Sequence, residues 1–493
     1  MIKSIIKFTL FILTISSNAQ SFSAKIIDKN TNSPVPYAAV QTGEYKGVIT
    51  NEEGVFYIDL ENNTVNQITI SSLGYKKQVF SVEDIKTSHF IIELEPSINE
   101  LNTVYLSNTK PNVDTIIART VRNLNKNYKT EGVSHNIFYR ETAYMDFESL
   151  NFEIDKASHV KKKQLQEANA SLKSMANNIM SSNFVHFTDF IGNLSVLDKD
   201  STKLEVEKAM QIINSKKDFS LENIQERAQN IVLKYLDTTL TYKLKTGLFK
   251  VEDSLSLASD KDSSKNEKQE FKIKNLKNDA HGLLKDSRPS PKSLLRKILN
   301  SDNYSYVLKD VTFYNDEMVY TIHFKPRKAK AKYAGSIYIT NGSYGVLKTD
   351  YSYSKGKRGS KLNLRLILGV KYIENVSNGT IIFKKNQDNW FEPRYIKHET
   401  GSYFYVHRPL KFIENSTAKN KVLFDFKIEG VVKQKEELLF NSTTSISKTM
   451  FENIKEVKTI PYKKQRKYDA TAWGSNETLA PTKELKTFDA TKD

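Results

Sequence analysis

Between Tyr304 and Val432 the chain is a succession of short runs rich in Tyr, Phe, Ile and Val, broken by brief connections, and nothing else in it narrows the possible folds so far. Strands joined this closely run antiparallel, because parallel neighbours need a crossover of about a dozen residues or more. The runs are Tyr304–Leu308, Val311–Tyr314, Met318–Phe324, Gly335–Thr340, Tyr344–Tyr353, Asn363–Tyr372, Gly379–Lys385, Trp390–His398, Gly401–Arg408 and Lys421–Val432. Asn341-Gly342 is a two-residue hairpin signal. The region 296–445 is therefore expected to be a meandering antiparallel β-body, curved or half closed. A concave cavity lined by apolar and Tyr side chains within 304–437 would suit a lipid carrier, and a filled sheet would not.

A second, smaller β-rich segment lies near the start. Phe22–Ile27, Tyr37–Gln41, Gly47–Thr50, Val55–Leu60, Gln67–Ser71, Lys77–Val82 and Phe90–Leu94 read as strands separated by turn residues. Gly54 follows the acidic turn Asn51-Glu52-Glu53, where a tight turn calls for positive φ. Phe56 and Ile58 then share one face of the next strand. About seven strands in this space make a β-sandwich over residues 20–96.

The residues of that sandwich carry a family resemblance. Asp28, Pro34-Val35-Pro36-Tyr37-Ala38, Gly47-x-x-Thr50-Asn51-x-x-Gly54-x-Phe56, Ser71-x-Leu73-Gly74-Tyr75 and Leu94-Glu95-Pro96 resemble the carboxypeptidase-like regulatory domain, a transthyretin-like sandwich. The resemblance implies a secreted or outer-membrane protein of Bacteroidota type, since the module precedes TonB-dependent receptors and other envelope proteins. It implies no catalysis, because the module carries none of the catalytic residues of metallocarboxypeptidases.

Residues 97–111 form a linker, in which Ile98–Leu106 is similar to the strand that follows this module in those receptors. Val113–Tyr128 is expected as an amphipathic helix, with Ile116, Ile117, Val121, Leu124 and Tyr128 on one stripe. Asn136–Tyr144, holding Phe138-Tyr139-Arg140-Glu141, follows as a strand. This pairing resembles a family of uncharacterised envelope proteins, some of which continue into an outer-membrane barrel too large for the length remaining here. Residues 112–251 mix strands with helices expected at Lys161–Met180 and Leu221–Leu236. The polar stretch 252–295 is expected as a flexible insertion and a domain boundary. The tail, 446–493, holds Tyr468-Asp469, Trp473 and Pro481-Thr482, spaced like the closing segment of the same family. The fold class expected is α+β and multidomain.

Met1–Gln20 reads as an export signal: Lys3 and Lys7, an apolar core at Phe8–Ile15, and small residues at Ser17-Asn18-Ala19, with residues 1–19 removed. The apolar run falls well short of the roughly 20 residues of a spanning helix. The chain has no cysteine, which excludes disulfides, thiol catalysis, cysteine-ligated metals and a lipoprotein anchor. Its 74 basic and 57 acidic residues give 74 − 57 = +17, concentrated at Lys325–Lys332, Lys355–Lys361 and Lys463–Lys467. Export sets nucleic acid aside; solvated faces and anionic lipid remain for these runs. The expected location is the periplasm or outer membrane, or outside the cell.

No set of residues names a reaction. The histidines are His89, His135, His159, His186, His281, His323, His398 and His407, and none has the helical spacing of a zinc site. His186 with Asp189 comes nearest. His398-Glu399 and His407-Arg408 fall on adjacent expected strands, where a dyad is conceivable across a hairpin and ordinary cross-strand contact is the plainer reading. Gly356–Lys361 lacks the glycine spacing of a phosphate loop, and Glu52-Glu53 offers too few oxygens for calcium. The sequence thus assigns no catalytic, cofactor-binding or metal residue and no cofactor. Two readings follow. One is a non-catalytic envelope protein whose sandwich docks or spaces a β-body that binds a protein, a glycan or a lipid. The other is a secreted hydrolase, such as a peptidase, with the sandwich as accessory domain; it requires His323, His398, His407 and a Ser or acidic residue to converge.

Overall fold

The computed structural model describes residues 21–43, 46–59, 65–97, 111–182, 184–213, 231, 236–237, 239–246, 249–256, 269–473 and 478–490. The expected export signal, the Ile98–Leu106 strand and nearly all of the Leu221–Leu236 helix lie outside the described residues. The chain divides into two compact units, taken in turn. One comprises Met1–Lys110, Asp310–Val319 and Asp469–Thr487; the other comprises Pro111–Lys309, Tyr320–Tyr468 and Phe488–Asp493.

In the first unit the strands are β1 (Ser21–Asp28), β2 (Ala39–Gly43), β3 (Lys46–Ile49), β4 (Val55–Asp59), β5 (Gln67–Ser71), β6 (Gln78–Ser81) and β7 (Ile91–Leu94). They form two sheets, β4-β1-β7 and β3-β2-β5-β6. Period-2 alternation buries Ile26, Phe56, Ile68 and Ile70 completely between them. The strand expected over Lys77–Val82 stops at Ser81, whose side chain accepts from the Asp84 backbone N–H and so starts the short helix Val82–Thr87. The Asn51–Gly54 turn is tightly specified. Gly54 has φ +75°, and a Cβ there would lie 2.5 Å from the Ile26 carbonyl oxygen.

The polar residues beside that turn are tied inward. Thr50 Oγ1 donates to the Val35 carbonyl at 2.8 Å and accepts from the Ala38 amide at 2.9 Å. Asn51 is fully buried; its Oδ1 accepts from the amides of Glu53 (3.0 Å) and Val55 (2.9 Å). Its Nδ2 donates to the carbonyl of Pro481, 3.2 Å away. Glu53 accepts from the Lys483 amide at 2.9 Å, at the start of the helix Lys483–Thr487. The signature turn is thus a socket for the C-terminal segment.

The second unit is built on one large curved sheet. Its strands are β8 (Val133–Ala157), β9 (Phe184–Val196), β10 (Thr202–Ile212), β11 (Thr241–Thr246), β12 (Phe249–Ser256), β14 (Tyr304–Tyr314), β15 (Glu317–Pro326), β16 (Tyr333–Thr340), β17 (Val346–Tyr353), β18 (Lys361–Leu364), β19 (Val370–Lys385), β20 (Phe391–Glu414), β21 (Lys421–Ser445) and β23 (Lys463–Gln465). β13 (Glu270–Lys272) and β22 (Thr459–Pro461) pair separately. The path is β14-β15-β16-β17-β19-β20-β21-β8-β9-β10-β23. The molecule is therefore α+β and multidomain, with an N-terminal sandwich and a large curved sheet that is antiparallel except where β23 joins β10 in parallel.

The structure corrects several expectations. Trp390–His398 and Gly401–Arg408 are one strand, β20, paired without interruption to β21 from Tyr395↔Leu439 to Ile413↔Lys421. Gly401 marks close packing there, since a Cβ would lie 2.9 Å from that of Val376. Gly379 likewise lies inside β19 and does not begin it. Asn363–Tyr372 is not one strand: β18 ends at Leu364, the helix Arg365–Leu368 follows, and Gly369 at φ +63° reverses the chain into β19. β8 and β21 each run 25 residues, or about 80 Å at strand rise.

Residues 112–251 and 296–445 do not part at the expected boundary, because β8, β9 and β10 pair into the same sheet as β14–β21. The expected flexible insertion 252–295 carries the helix Ile273–Ser287, which buries Ile273, Leu276, Ala280, Leu283 and Leu284. Its apolar stripe is diluted by Lys, Asn and Asp on the outer face, which hid it in composition. This helix packs on β9, β10 and β20. The helix Val113–Asn127, capped by Asn112 onto the Thr115 amide at 3.0 Å, ends at Tyr128, whose hydroxyl bonds both backbone groups of Val346 (2.8 and 3.0 Å). The helix Lys162–Met180 buries Ala168, Leu172, Ala176 and Ile179 against Leu150, Phe152, Ile154 and Phe424.

Replacing Asn51 by Ala removes the acceptor of two turn amides and a donor to Pro481. The expected cost is about 2 kcal/mol in denaturant titration, with faster hydrogen exchange at the Val55 amide. An unchanged midpoint together with an unchanged Val55 amide would show that the side chain does not hold the turn.

Candidate functional site

The candidate residues from the sequence do not converge. His398 and His407 lie on the same strand nine positions apart, on opposite faces and about 30 Å from one another along β20. His407 Nε2 sits 3.1 Å from the Asp425 carboxylate. His323 is an exposed side chain on β15. His398 Nε2 is 3.2 Å from Ser377 Oγ, which in turn lies 3.4 Å from the Tyr333 hydroxyl. Burial holds the His398 ring below its ordinary pKa, against the opposing carboxylates of Asp286, Glu374 and Glu399. Ser377 is itself buried at 2% exposure, so this Ser-His contact is closed to a substrate.

His186 and Asp189 are three apart on β9 and so face opposite ways. His186 packs edge-on to Phe184. Among the described residues no cluster of His, Asp and Glu has metal-binding geometry. Gly356–Lys361 is tied to an acid: Glu374 accepts from the Ser360 amide at 3.0 Å and from Tyr353 at 2.6 Å. Glu53 serves the Lys483 amide, as described above.

What the sheet does bring together is a charged cluster that the sequence did not reveal. Arg140 on β8 and Asp189 on β9 are direct cross-strand partners. Arg140 Nε and Nη2 donate to the Asp189 carboxylate at 3.0 and 2.7 Å, with 2% and 4% of their side chains exposed. Burial opposes the Arg140 charge, but Asp189 outweighs it and raises the guanidinium pKa further. Glu437, opposite Arg140 on β21, accepts from the Tyr395 hydroxyl of β20 at 2.7 Å. Polar groups thus link β9, β8, β21 and β20 on one face. The Arg140 guanidinium lies 6.0 Å from the Tyr468 ring centroid, and Phe187 meets Phe488 edge-on, so the tail shields this face.

On the other face Glu141 and Glu436 sit opposite one another across β8 and β21. Glu436 accepts from Tyr139 at 2.9 Å and Glu141 from Gln434 at 3.1 Å. Both carboxyls are pushed up to about 7: Glu141 by burial, then by Glu436 and by Asp279 of the helix Ile273–Ser287; Glu436 by burial and by Asp279. Asp279 is raised by burial as well. Glu141 and Glu436 take up protons near neutrality, but their bonds run to neighbouring side chains. A small cleft between His135, Arg288, Tyr128 and Phe391 has room for about one water. Burial and the Arg288 charge push His135 down to about 3.

Asp189→Ala strands a buried cation and is expected to cost about 3–5 kcal/mol in equilibrium unfolding; a loss below about 1 kcal/mol, at or under the range of a surface pair, would mean the pair is dispensable. For the acids the sign is set by raised folded pKa values: between about 4.5 and 7 the folded chain holds more protons than the unfolded one, so stability falls as pH rises through that window. Glu436→Gln, which mimics the protonated form, is expected to be more stable than the native chain by about 1–2 kcal/mol above about pH 7.5. The two should converge near about pH 4.5 in thermal melts, and a gap independent of pH would contradict the assignment.

Comparison with known proteins bears on the sandwich. None of the curated proteins matches the chain. Among solved structures, one described as lipid–protein interactions in lipovitellin is similar at 6% identity and a TM-score of 0.19, covering 67% of this chain. The chain spans 27% of that protein's length, and a likeness at this score carries no argument about fold or ligand. The family model that matches is described as a CarboxypepD_reg-like domain, over residues 22–106. The two packed sheets β4-β1-β7 and β3-β2-β5-β6, with their Asn51–Gly54 turn, are a CarboxypepD_reg-like domain.

Proposed function

We propose that the protein is a non-catalytic envelope component, exported to the periplasm or associated with the outer membrane. In this reading the CarboxypepD_reg-like domain is a docking or spacing module, and the large sheet presents a binding surface to a partner. The observation that supports it most is the state of the buried polar side chains. Arg140 is matched by Asp189, and Ser377 is shut inside the sheet beside His398. A catalytic group has to keep an atom open toward a substrate in a pocket. Met1–Gln20 adds the export reading.

A lipid carrier that encloses its cargo is the less supported variant. The helix Ile273–Ser287 lies on β9, β10 and β20 and fills that part of the sheet with Leu276, Leu283 and Leu284. A chain of this kind works through its surfaces.

Fractionation of the source cells, followed by affinity capture of the full chain after crosslinking, tests the proposal. The expected outcome is recovery with the envelope fraction and a reproducible crosslinked partner lost on deletion of residues 22–97. Recovery as a free cytoplasmic monomer would overturn it.

A further inference from the structure

The hairpin formed by β18, the helix Arg365–Leu368 and β19 ends in apolar side chains that the fold leaves uncovered. Leu366 is fully exposed, Ile367 is 71% exposed and Leu362 is 46% exposed. The geometry that presents them is fixed. Gly369 at φ +63° closes the helix, and its carbonyl accepts from the His407 amide at 2.8 Å. A Cβ at that position would lie 2.0 Å from the His407 carbonyl oxygen. Residues 355–371 contain Lys355, Lys357, Arg358, Lys361, Arg365 and Lys371 and no Asp or Glu. Arg365 lies over the Tyr405 ring at 4.3 Å and Lys371 over that of Tyr403 at 4.9 Å, so cations and tyrosines collar the base of the tip. Glu374, on β19 itself, is engaged with Tyr353 and Ser360, and Glu429, one strand beyond β20 on β21, with Tyr403 and Lys427.

We propose that the tip at Leu366-Ile367 inserts into the interfacial layer of an anionic lipid bilayer, with Lys355, Arg358, Lys361, Arg365 and Lys371 meeting the headgroups. Two exposed aliphatic side chains at one turn do not make the broad patch of about 800 Å² that a stable protein partner covers. They do fit the boundary between headgroups and acyl chains, where a few apolar residues and a basic, tyrosine-bearing collar add their free energies. The charge complementarity selects anionic over neutral lipid. This deepens the envelope reading by naming a lipid surface as the partner of the large sheet. Its test uses purified chain and synthetic vesicles, so the compartment reading can fail by fractionation while vesicle binding stands, and the reverse.

The purified full chain is mixed with vesicles of phosphatidylcholine alone or containing about 30% phosphatidylglycerol and then sedimented. Binding is expected to the anionic vesicles, to weaken with added salt, and to drop at least ~10-fold in Leu366→Asp/Ile367→Asp. Because the chain has no cysteine, Ile367→Cys carries a single polarity-sensitive dye, whose emission is expected to shift to the blue on adding anionic vesicles. Both substitutions are at solvent-facing positions, and an unchanged melting curve checks the fold. The proposal is overturned by a native chain that stays in the supernatant, by equal binding of the double variant, by a dye that does not shift, or by a dimer in light scattering that the double variant dissolves.

Discussion

The Arg140 guanidinium sits in the middle of the large sheet with almost no access to water, and the surrounding strands are arranged to make that tolerable. An unpaired cation at this depth would cost several kcal/mol, which the Asp189 carboxylate offsets only when two donors meet it squarely. That geometry exists in one register of β8 against β9. Glu437 and Tyr395 extend the same demand to β21 and β20. In strands of 25 residues a slip by one position would turn every apolar side chain outward, so a polar anchor near the centre supplies specificity that Val, Ile and Phe packing alone defines less sharply.

The register that satisfies Arg140 also sets what stands on the opposite face. Alternation carries Glu141 and Glu436 to directly opposed positions beneath the helix Ile273–Ser287, which adds Asp279. Like charges opposite one another destabilise a ladder. They are relieved by protonation and by donors from Tyr139 and Gln434. One face of the sheet is therefore stabilised by opposite charges, while the other carries a conflict that grows with pH. Shifting β8 to separate the acids would break its buried ion pair with β9, and stranding that cation costs more than the repulsion it would relieve; shifting β21 instead would move Glu437 from its place opposite Arg140.

The sandwich was legible because its strands are short and its turns have chemical markers. Asn51, Gly54 and the Ser71–Tyr75 run bracket segments whose alternation is plain, and all seven strands fall where the turns place them. The long strands were not legible for the converse reason. Gly379 and Gly401 read as the first residues of separate strands, yet each lies inside a longer one, where a neighbouring backbone or side chain comes too close for a Cβ. Tertiary contact, invisible in one sequence, decided their role. The helix Ile273–Ser287 was masked by its polar outer face. The ion pair was out of reach because Arg140 and Asp189 are 49 positions apart and each sat in a run that pointed elsewhere, Arg140 in a family motif and Asp189 beside a histidine.

Structural polarity and functional polarity part company in this chain. Where polar residues are buried, at Asn51, Arg140, Asp189 and Ser377, their bonds run to the protein itself, and the sequence features that suggested chemistry dissolve into packing. Apolar residues show the inverse exception. Burial is the default for Leu and Ile, so an adjacent pair held in the open by a glycine cap is a departure that the fold had to build. A flexible loop would let those side chains collapse onto the nearest apolar surface. Here β18 is paired to β19, and the Gly369–His407 bond fixes the turn, so the exposure of Leu366 and Ile367 is a property of the backbone rather than an accident of a loose segment. Among the described residues Leu366 is the most exposed of the large apolar side chains, and this tip is where the outward face departs furthest from the solvated norm.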